Sequence, residues 1–504
     1  MHNELKKMVS KDESSYGHVL KYVGIFGGVQ GLSILVGLVR NKVLAYFLGP
    51  DGMGLVSLFN STINFISQST NLGISFSAVR HVSGLFDEGN EAKMQHFVKV
   101  VRAWSLLTAL IGMLVCVAVG PLMNYTFSWG DHTLHFILLA PAVGLMAITG
   151  GETAILKGCR RLKALALIQV VNVFVALVLA SVVFSTFGQA GIVPVIVLMA
   201  FTMMVTTIWY SYKLFPLHLN GCHGILGEGM GMVRLGVAFV LAGILGSGAE
   251  ILIRSYLNKF GDLDVVGFYN AGLMIAVTYS GMVFSAMETD YFPRLSAVGN
   301  NRKQMSEMVN RQIEVSLLIA SPLLALLIVF MPVVIPLLFT DAFIPVVAMA
   351  QVAVLSMYFK AISLPIAYLQ LAKANSIGYL ILEGIFDVIM VLLVILGYHN
   401  WDLIGTGIAL SLAYFTNVIM VYAYAYVKYG YRVSLPVVQL IAIQVPLGLA
   451  VYITTWLDNV WVAWGIGIIL AFVSMAVSIN IVHQKTGLWN ALKTRINSKL
   501  HGHD

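Results

Sequence analysis

Fourteen apolar runs of about 20 residues, joined by short polar turns, leave this chain one kind of fold. They fall near 19–46, 54–79, 99–122, 132–156, 164–187, 190–212, 232–256, 264–289, 312–339, 344–370, 375–397, 402–427, 434–456 and 460–482. A helix of that length crosses the hydrocarbon core of a bilayer with every backbone group satisfied internally. Composition points the same way. Of 504 residues, 59% are hydrophobic and 11% charged, where soluble domains carry about 25% charged residues. The expected fold is an all-α polytopic membrane protein. Cys116, Cys159 and Cys222 are scattered with no CxxC spacing, so neither a disulfide framework nor a zinc site is expected. His132 and His135 lie three apart in one connecting loop without a third ligand, and no metal is assigned to them.

The cations test the span count. Lys and Arg concentrate on the cytoplasmic side of membrane proteins. With the N-terminus inside, the inner segments hold 25 of the 30 lysines and arginines, in clusters such as Lys157, Arg160, Arg161 and Lys163. Outer loops such as STFGQAG, LFTDAF and GYHNWDL hold none. The net charge of +7 is therefore a topology signal, and no nucleic-acid partner is expected. Both termini are expected in the cytoplasm. Five cations remain within spans or toward the outer side: Arg40, Lys42, Arg254, Lys259 and Lys360. An arginine near the middle of a span costs about 3 kcal/mol on insertion scales, so each needs a reason.

Two stretches echo one another. LVRNKVLAYFLGPDGMGLVSLFN (38–60) and LIRSYLNKFGDLDVVGFYN (252–270) share Arg, a following Lys, Phe, Gly, an acid, Gly and a closing aromatic-Asn pair, ending at Asn60 and Asn270. The segments 154–192 and 369–408 form a second pair, each with a basic turn, an apolar helix and a short loop ending near Gly-Ile. The expected organisation is a six-helix bundle over 1–212, a linker at 213–231, a second six-helix bundle over 232–430, and two further helices with a basic tail over 431–504. Two parallel bundles around a central cavity is a transporter architecture.

The motifs NKVLAYFLGPDGMG, AILKGCRR, FPRLS (292–296) and LAKANSIGYLILE (371–383) resemble the multidrug/oligosaccharidyl-lipid/polysaccharide exporter superfamily. Within it, the chain is most similar to the Wzx-type polysaccharide flippases, in particular the branch serving enterobacterial common antigen. The likeness covers spans 1 to 12; the lipid II flippase branch also carries two extra helices. The resemblance implies a non-enzymatic flippase in the bacterial inner membrane, without a cofactor. Its substrate would be an undecaprenyl-diphosphate-linked oligosaccharide whose prenyl tail stays in membrane lipid. Polysaccharide polymerase and chain-length proteins would be partners. The same resemblance supports Arg40 most, since the lipid II branch has an arginine at the matching place lining its cavity.

A diphosphate passing through hydrocarbon needs fixed cations, and arginine holds phosphate bidentately. Arg40 and Arg254, at matching repeat positions, are the first candidates to bind it, with Lys42, Lys259, Lys360, Asn60 and Asn270 beside them. The plainer readings are snorkelling to headgroups, or, for Arg254, pairing with Glu250 one turn earlier. Glu383 and Asp387 share one face of span 11 and are candidates for coupling to H⁺ or Na⁺, or for pairing with Lys360 or Lys373. Glu250, Glu288 and Asp290 are candidates for coupling or gating. The alternative function is an ion-coupled multidrug antiporter of the same superfamily, which calls for an acidic, aromatic cavity. A membrane-bound polymerase or ligase calls for a large outer loop, and every outer loop here is short. No catalytic constellation is present in the sequence.

Overall fold

The computed structural model describes residues 2–127, 132–217, 225–298, 301–373 and 375–486; side chains are described from Gly31 on, apart from short stretches that include 285–290. The middle of the expected linker and the basic tail beyond 486 lie outside the described residues. Among the described residues fifteen α-helices follow one another. They are α1 (His2–Thr70), α2 (Ile74–Glu88), α3 (Glu91–Phe127), α4 (Thr133–Gly158), α5 (Leu162–Phe187), α6 (Ile192–Leu214), the short α7 (Ile225–Glu228) and α8 (Met230–Phe260). They continue with α9 (Leu263–Leu273), α10 (Ser280–Ala297), α11 (Arg302–Leu338), α12 (Val346–Ala372), α13 (Ser376–Tyr429), α14 (Leu435–Thr454) and α15 (Val460–Thr486). Among the described residues there is no strand.

Ten described stretches are long and apolar enough to cross a membrane. Three of them, Gly31–Thr70, Lys163–Leu214 and Ser376–Tyr429, run 40, 52 and 54 residues and hold a break inside. Each therefore supplies two spans of the usual length. Together with α8 they account for the fourteen apolar runs, and the protein is a multi-pass helical membrane protein.

The breaks have local causes. Gly49 takes φ 65°, a conformation open to glycine, and Pro50 follows at the start of the next segment, where its missing N–H costs nothing. In α13 the chain leaves helical geometry at Trp401 and Asp402, within the expected loop GYHNWDL. One break falls inside an expected span. The run 54–79 is interrupted at 71–73, where Leu72 and Gly73 both have positive φ, and α2 starts afresh. A leucine in that region is sterically costly and has no signature in hydropathy. Span 8 also departs from a plain helix: α9 and α10 are joined by a π-helical turn, Met274–Tyr279. There Ser280 Oγ donates to Ile275 O at 2.9 Å, five residues back.

The chain divides into two compact units, Met1–Asp264 with Leu338–Thr340 and Val265–Leu337 with Asp341–Asp504. The sequence repeat restarts after 213–231, whereas packing divides the chain later, because α8 lies along α1 and α2. In the first unit α3 packs along α4, and a buried cluster including Ile74, Val82, Val101, Trp104 and Ile155 joins α2, α3 and α4. In the second, α12 packs along α13 and is largely buried.

Prolines inside spans leave carbonyls that need partners. Pro332 in α11 frees the carbonyl four residues earlier, at Ile328, and Gln351 Nε2 of α12 donates to that oxygen at 3.0 Å. Gln351→Leu is expected to lower stability by about 1–2 kcal/mol, by leaving that buried carbonyl unmet. Thermal unfolding in detergent reads the change, and an unaltered midpoint would show the bond to be dispensable.

Candidate functional site

The reversal at Gly49 places the site. Arg40 lies nine residues before it and Asn60 eleven after, so the two segments of α1 bring them to depths differing by about 3 Å of helix rise. Both line a half-open cavity of about 570 Å³ bounded by α1, α2, α4, α5 and α6 of the first unit. Asn64, Thr149, Asn172 and Lys157 add polar groups, and the rest of the wall is largely aliphatic and methionine-rich. Asn172 Nδ2 donates to Ile168 O at 2.8 Å and to Thr206 Oγ1 at 3.0 Å, which fixes its amide. Lys157 stands in the last turn of α4, where it also offsets the helix dipole. The cavity thus carries two cations, and no carboxylate is among its described lining residues. In such a low-dielectric space fixed positive charge attracts anions strongly.

Arg254 does not share this cavity. It is buried in α8, where its Nε donates to Ser57 Oγ at 2.7 Å and its Nη1 meets Glu250 Oε2 at 3.2 Å. The cause is one turn away: Glu250 precedes Arg254 by four residues, whereas Val36 holds that position before Arg40. Arg254→Ala is therefore expected to cost about 2 kcal/mol of stability, chiefly from the unmet Ser57 hydroxyl and lost packing. Unfolding midpoints of Arg254→Ala and Arg40→Ala, compared side by side, test this, and an unchanged Arg254→Ala midpoint contradicts it.

The other sequence candidates are dispersed. Lys42 is half-buried, two residues beyond Arg40 and so on another face of α1. Lys259 is exposed, its Nζ 6.0 Å from the centre of the Phe260 ring. In the second unit the Asn270 amide lies 3.7 Å from Met274 Sδ. Lys360 and Glu383 are within electrostatic reach of one another there, as Glu383 and Asp387 are of Tyr414. The side chains of Glu288 and Asp290 lie outside the described residues.

One network was not anticipated. Arg102 of α3 and Glu152 of α4 form a buried ion pair, with Nε to Oε1 at 2.8 Å. Arg102 Nη2 also donates to Phe215 O at 2.9 Å, and its guanidinium stacks over the Tyr212 ring at 4.1 Å. Ser211 Oγ donates to Glu152 Oε2 at 2.5 Å. In sequence Arg102 reads as one more inner-side cation, and its partner is 50 residues away. Lys157, too, reads there only as a topology charge. The one sequence hint was an acid, Glu152, inside an apolar run.

Residues 43–348, more than half of the chain, match the polysaccharide biosynthesis protein family. Stage V sporulation protein B of Bacillus subtilis is 24% identical over 159 residues, a match that spans 31% of each chain. Among solved structures, the lipid II flippase MurJ in an inward closed conformation superposes with a TM-score of 0.71 at 15% identity, covering 91% of this chain and 98% of that one. An inward-facing multidrug resistance MATE family transporter of the MOP superfamily gives 0.65 at 15% identity, covering 79% and 94%. These structural likenesses establish the fold shared by MOP-superfamily transporters. With its helical membrane fold and the match across 43–348, the chain belongs to the polysaccharide biosynthesis protein family.

Proposed function

We propose that the chain is a flippase that carries an undecaprenyl-diphosphate-linked oligosaccharide from the cytoplasmic to the periplasmic leaflet by alternating access. The observation that carries this reading is the wall of the 570 Å³ cavity, where Arg40 and Lys157 are present and no carboxylate is among the described lining residues. A diphosphate is the anion such a wall suits, with Arg40 supplying a fork for its oxygens and Asn60 a neutral donor. Membership of a polysaccharide biosynthesis family and the fold shared with a lipid II flippase structure support a lipid-linked saccharide as cargo. An ion-coupled multidrug antiporter would want acids and aromatic rings on this wall, and Phe184 is the one aromatic among the described lining residues.

The remaining assignments follow from this reading. Lys360, Glu383, Asp387 and Tyr414 form the proposed coupling cluster for H⁺ or Na⁺. Arg254 with Glu250 and Ser57 holds the seventh span to the second. The location is the bacterial inner membrane with both termini cytoplasmic, on the strength of the cation distribution. The pathway is surface polysaccharide assembly of the O-antigen or enterobacterial common antigen kind, ahead of a polymerase and chain-length proteins.

Reconstitution tests the reading. Vesicles holding the full chain and a fluorescent polyprenyl-diphosphate oligosaccharide are exposed to a membrane-impermeant quencher. Transfer between leaflets should exceed that of protein-free vesicles many-fold. Equal rates with and without the protein, under an imposed H⁺ or Na⁺ gradient, would refute it.

A further inference from the structure

Beside the cation-bearing cavity lies a smaller one of about 260 Å³, lined by Ser67, Gln68, Asn71, Ser75, Met146 and Val240 together with Gly73. Ser75 and Met146 line both, so the two spaces adjoin. Their chemistry differs. The smaller one has no charged side chain among its described lining residues, and its polar groups are two hydroxyls and two carboxamides.

The break in the second span builds this recess. Ser67, Asn71 and Ser75 recur every four residues and would form one stripe on a continuous helix. The positive φ values at Leu72 and Gly73 turn the chain in the middle of that stripe. The Asn71 amide then donates to the Ser75 hydroxyl across the turn. The surrounding helices withhold side chains where these groups stand. A Cβ at Gly243 of α8 would lie 2.9 Å from Gln68 Oε1, and one at Gly150 of α4 would lie 3.0 Å from Ser75 Oγ. Gln68 is exposed and Ser67, Asn71 and Ser75 are half-buried, so the hollow presents these groups to a polar guest able to hydrogen-bond with them. The hollow has the space of roughly nine waters at their liquid volume, comparable to one pyranose ring with its hydroxyls.

We propose that this recess binds the sugar nearest the diphosphate, a neutral hexose or N-acetylhexosamine, while the adjoining cavity holds the diphosphate at Arg40. The inference rests on the flippase reading and adds a saccharide subsite to it. Hydroxyls and carboxamides both donate and accept, as sugar hydroxyls and an acetamido group do. Met146 and Val240 offer an apolar wall to the C–H face of the ring. A phosphate would call for cations in the recess and an amine for acids, and neither is in its described lining.

Binding of two probes to the full chain in lipid nanodiscs tests this: a polyprenyl diphosphate, and the same lipid bearing one N-acetylhexosamine. The unaltered protein should bind the sugar-bearing lipid more tightly. Gln68→Ala should weaken that probe by roughly fivefold, the value of one neutral hydrogen bond, and leave the bare diphosphate unchanged. Gly243→Ala, which crowds the Gln68 amide, should act in the same direction. Arg40→Ala should weaken both probes. Equal affinity of the unaltered protein for the two probes overturns the subsite and leaves the flippase reading standing. So does a Gln68→Ala protein of unchanged melting temperature that loses both probes alike or neither. An unaltered protein that binds neither probe overturns the flippase reading and the subsite with it.

Discussion

Replacing Arg40 with alanine is expected to abolish glycan export while the protein still inserts and accumulates. Removing the arginine relieves the first span of a cost of about 3 kcal/mol, so insertion should not suffer. What disappears is the charge-bearing fork on the 570 Å³ cavity. Truncating one partner of a desolvated, charge-assisted contact costs about 3 kcal/mol, or roughly a hundredfold in affinity. Lys157 remains, but as a flexible point charge at the end of α4 it does not replace bidentate geometry. Arg40→Lys should accordingly restore part of the activity, since charge returns without the planar fork. Complementation of a strain lacking its lipid-linked oligosaccharide flippase, read as surface glycan per unit of inserted protein, measures both variants. Full complementation by Arg40→Ala would remove this residue from the site.

The second large effect concerns stability. Glu152→Ala should destabilise the first unit by about 3–5 kcal/mol, because it leaves the buried Arg102 guanidinium without its counter-charge. The Phe215 carbonyl and the Tyr212 ring meet the guanidinium only in part. Replacing both partners together, as Arg102→Met with Glu152→Met, should recover most of the loss, since a well-packed apolar pair is often as stable as a buried ion pair. Unfolding in detergent of the unaltered protein, Arg102→Met, Glu152→Met and the pair, arranged as a double-mutant cycle, gives the coupling directly, with Glu152→Ala measured beside them. A Glu152→Ala protein within 1 kcal/mol of the unaltered one would show that water reaches the pair and screens it.

How much of this was legible in the sequence depends on the range over which each feature is encoded. The spans were legible because apolar runs are continuous along the chain. The reversal at Gly49-Pro50 was legible for the same local reason, and GYHNWDL marked the break in α13. The interruption at 71–73 was not, because it rests on Leu72 holding a positive φ within an apolar run. Among the cations, the Arg254–Glu250 contact follows from a four-residue spacing and stood as an alternative from the start. The Arg102–Glu152 pair depends on α3 packing along α4, and no periodicity joins positions 50 apart. Arg40 was singled out by its cost in a span. Its neighbours Asn64, Thr149, Asn172 and Lys157 were not, because a polar residue at a helix face carries no sign of what it faces until the helices are packed.

The π-helical turn at Met274–Tyr279 has a mechanical consequence. Such a turn holds one residue more than the α-helical path it replaces. Relaxing it to ordinary geometry would draw that residue into the ladder and swivel α10 by about 100° relative to α9, the angle one residue subtends at 3.6 per turn. The side chains from Ser280 to Phe284 would then look in a new direction, and the Ser280 hydroxyl would leave the Ile275 carbonyl. The eighth span would thereby exchange the face it shows its surroundings by the rotation of a single residue.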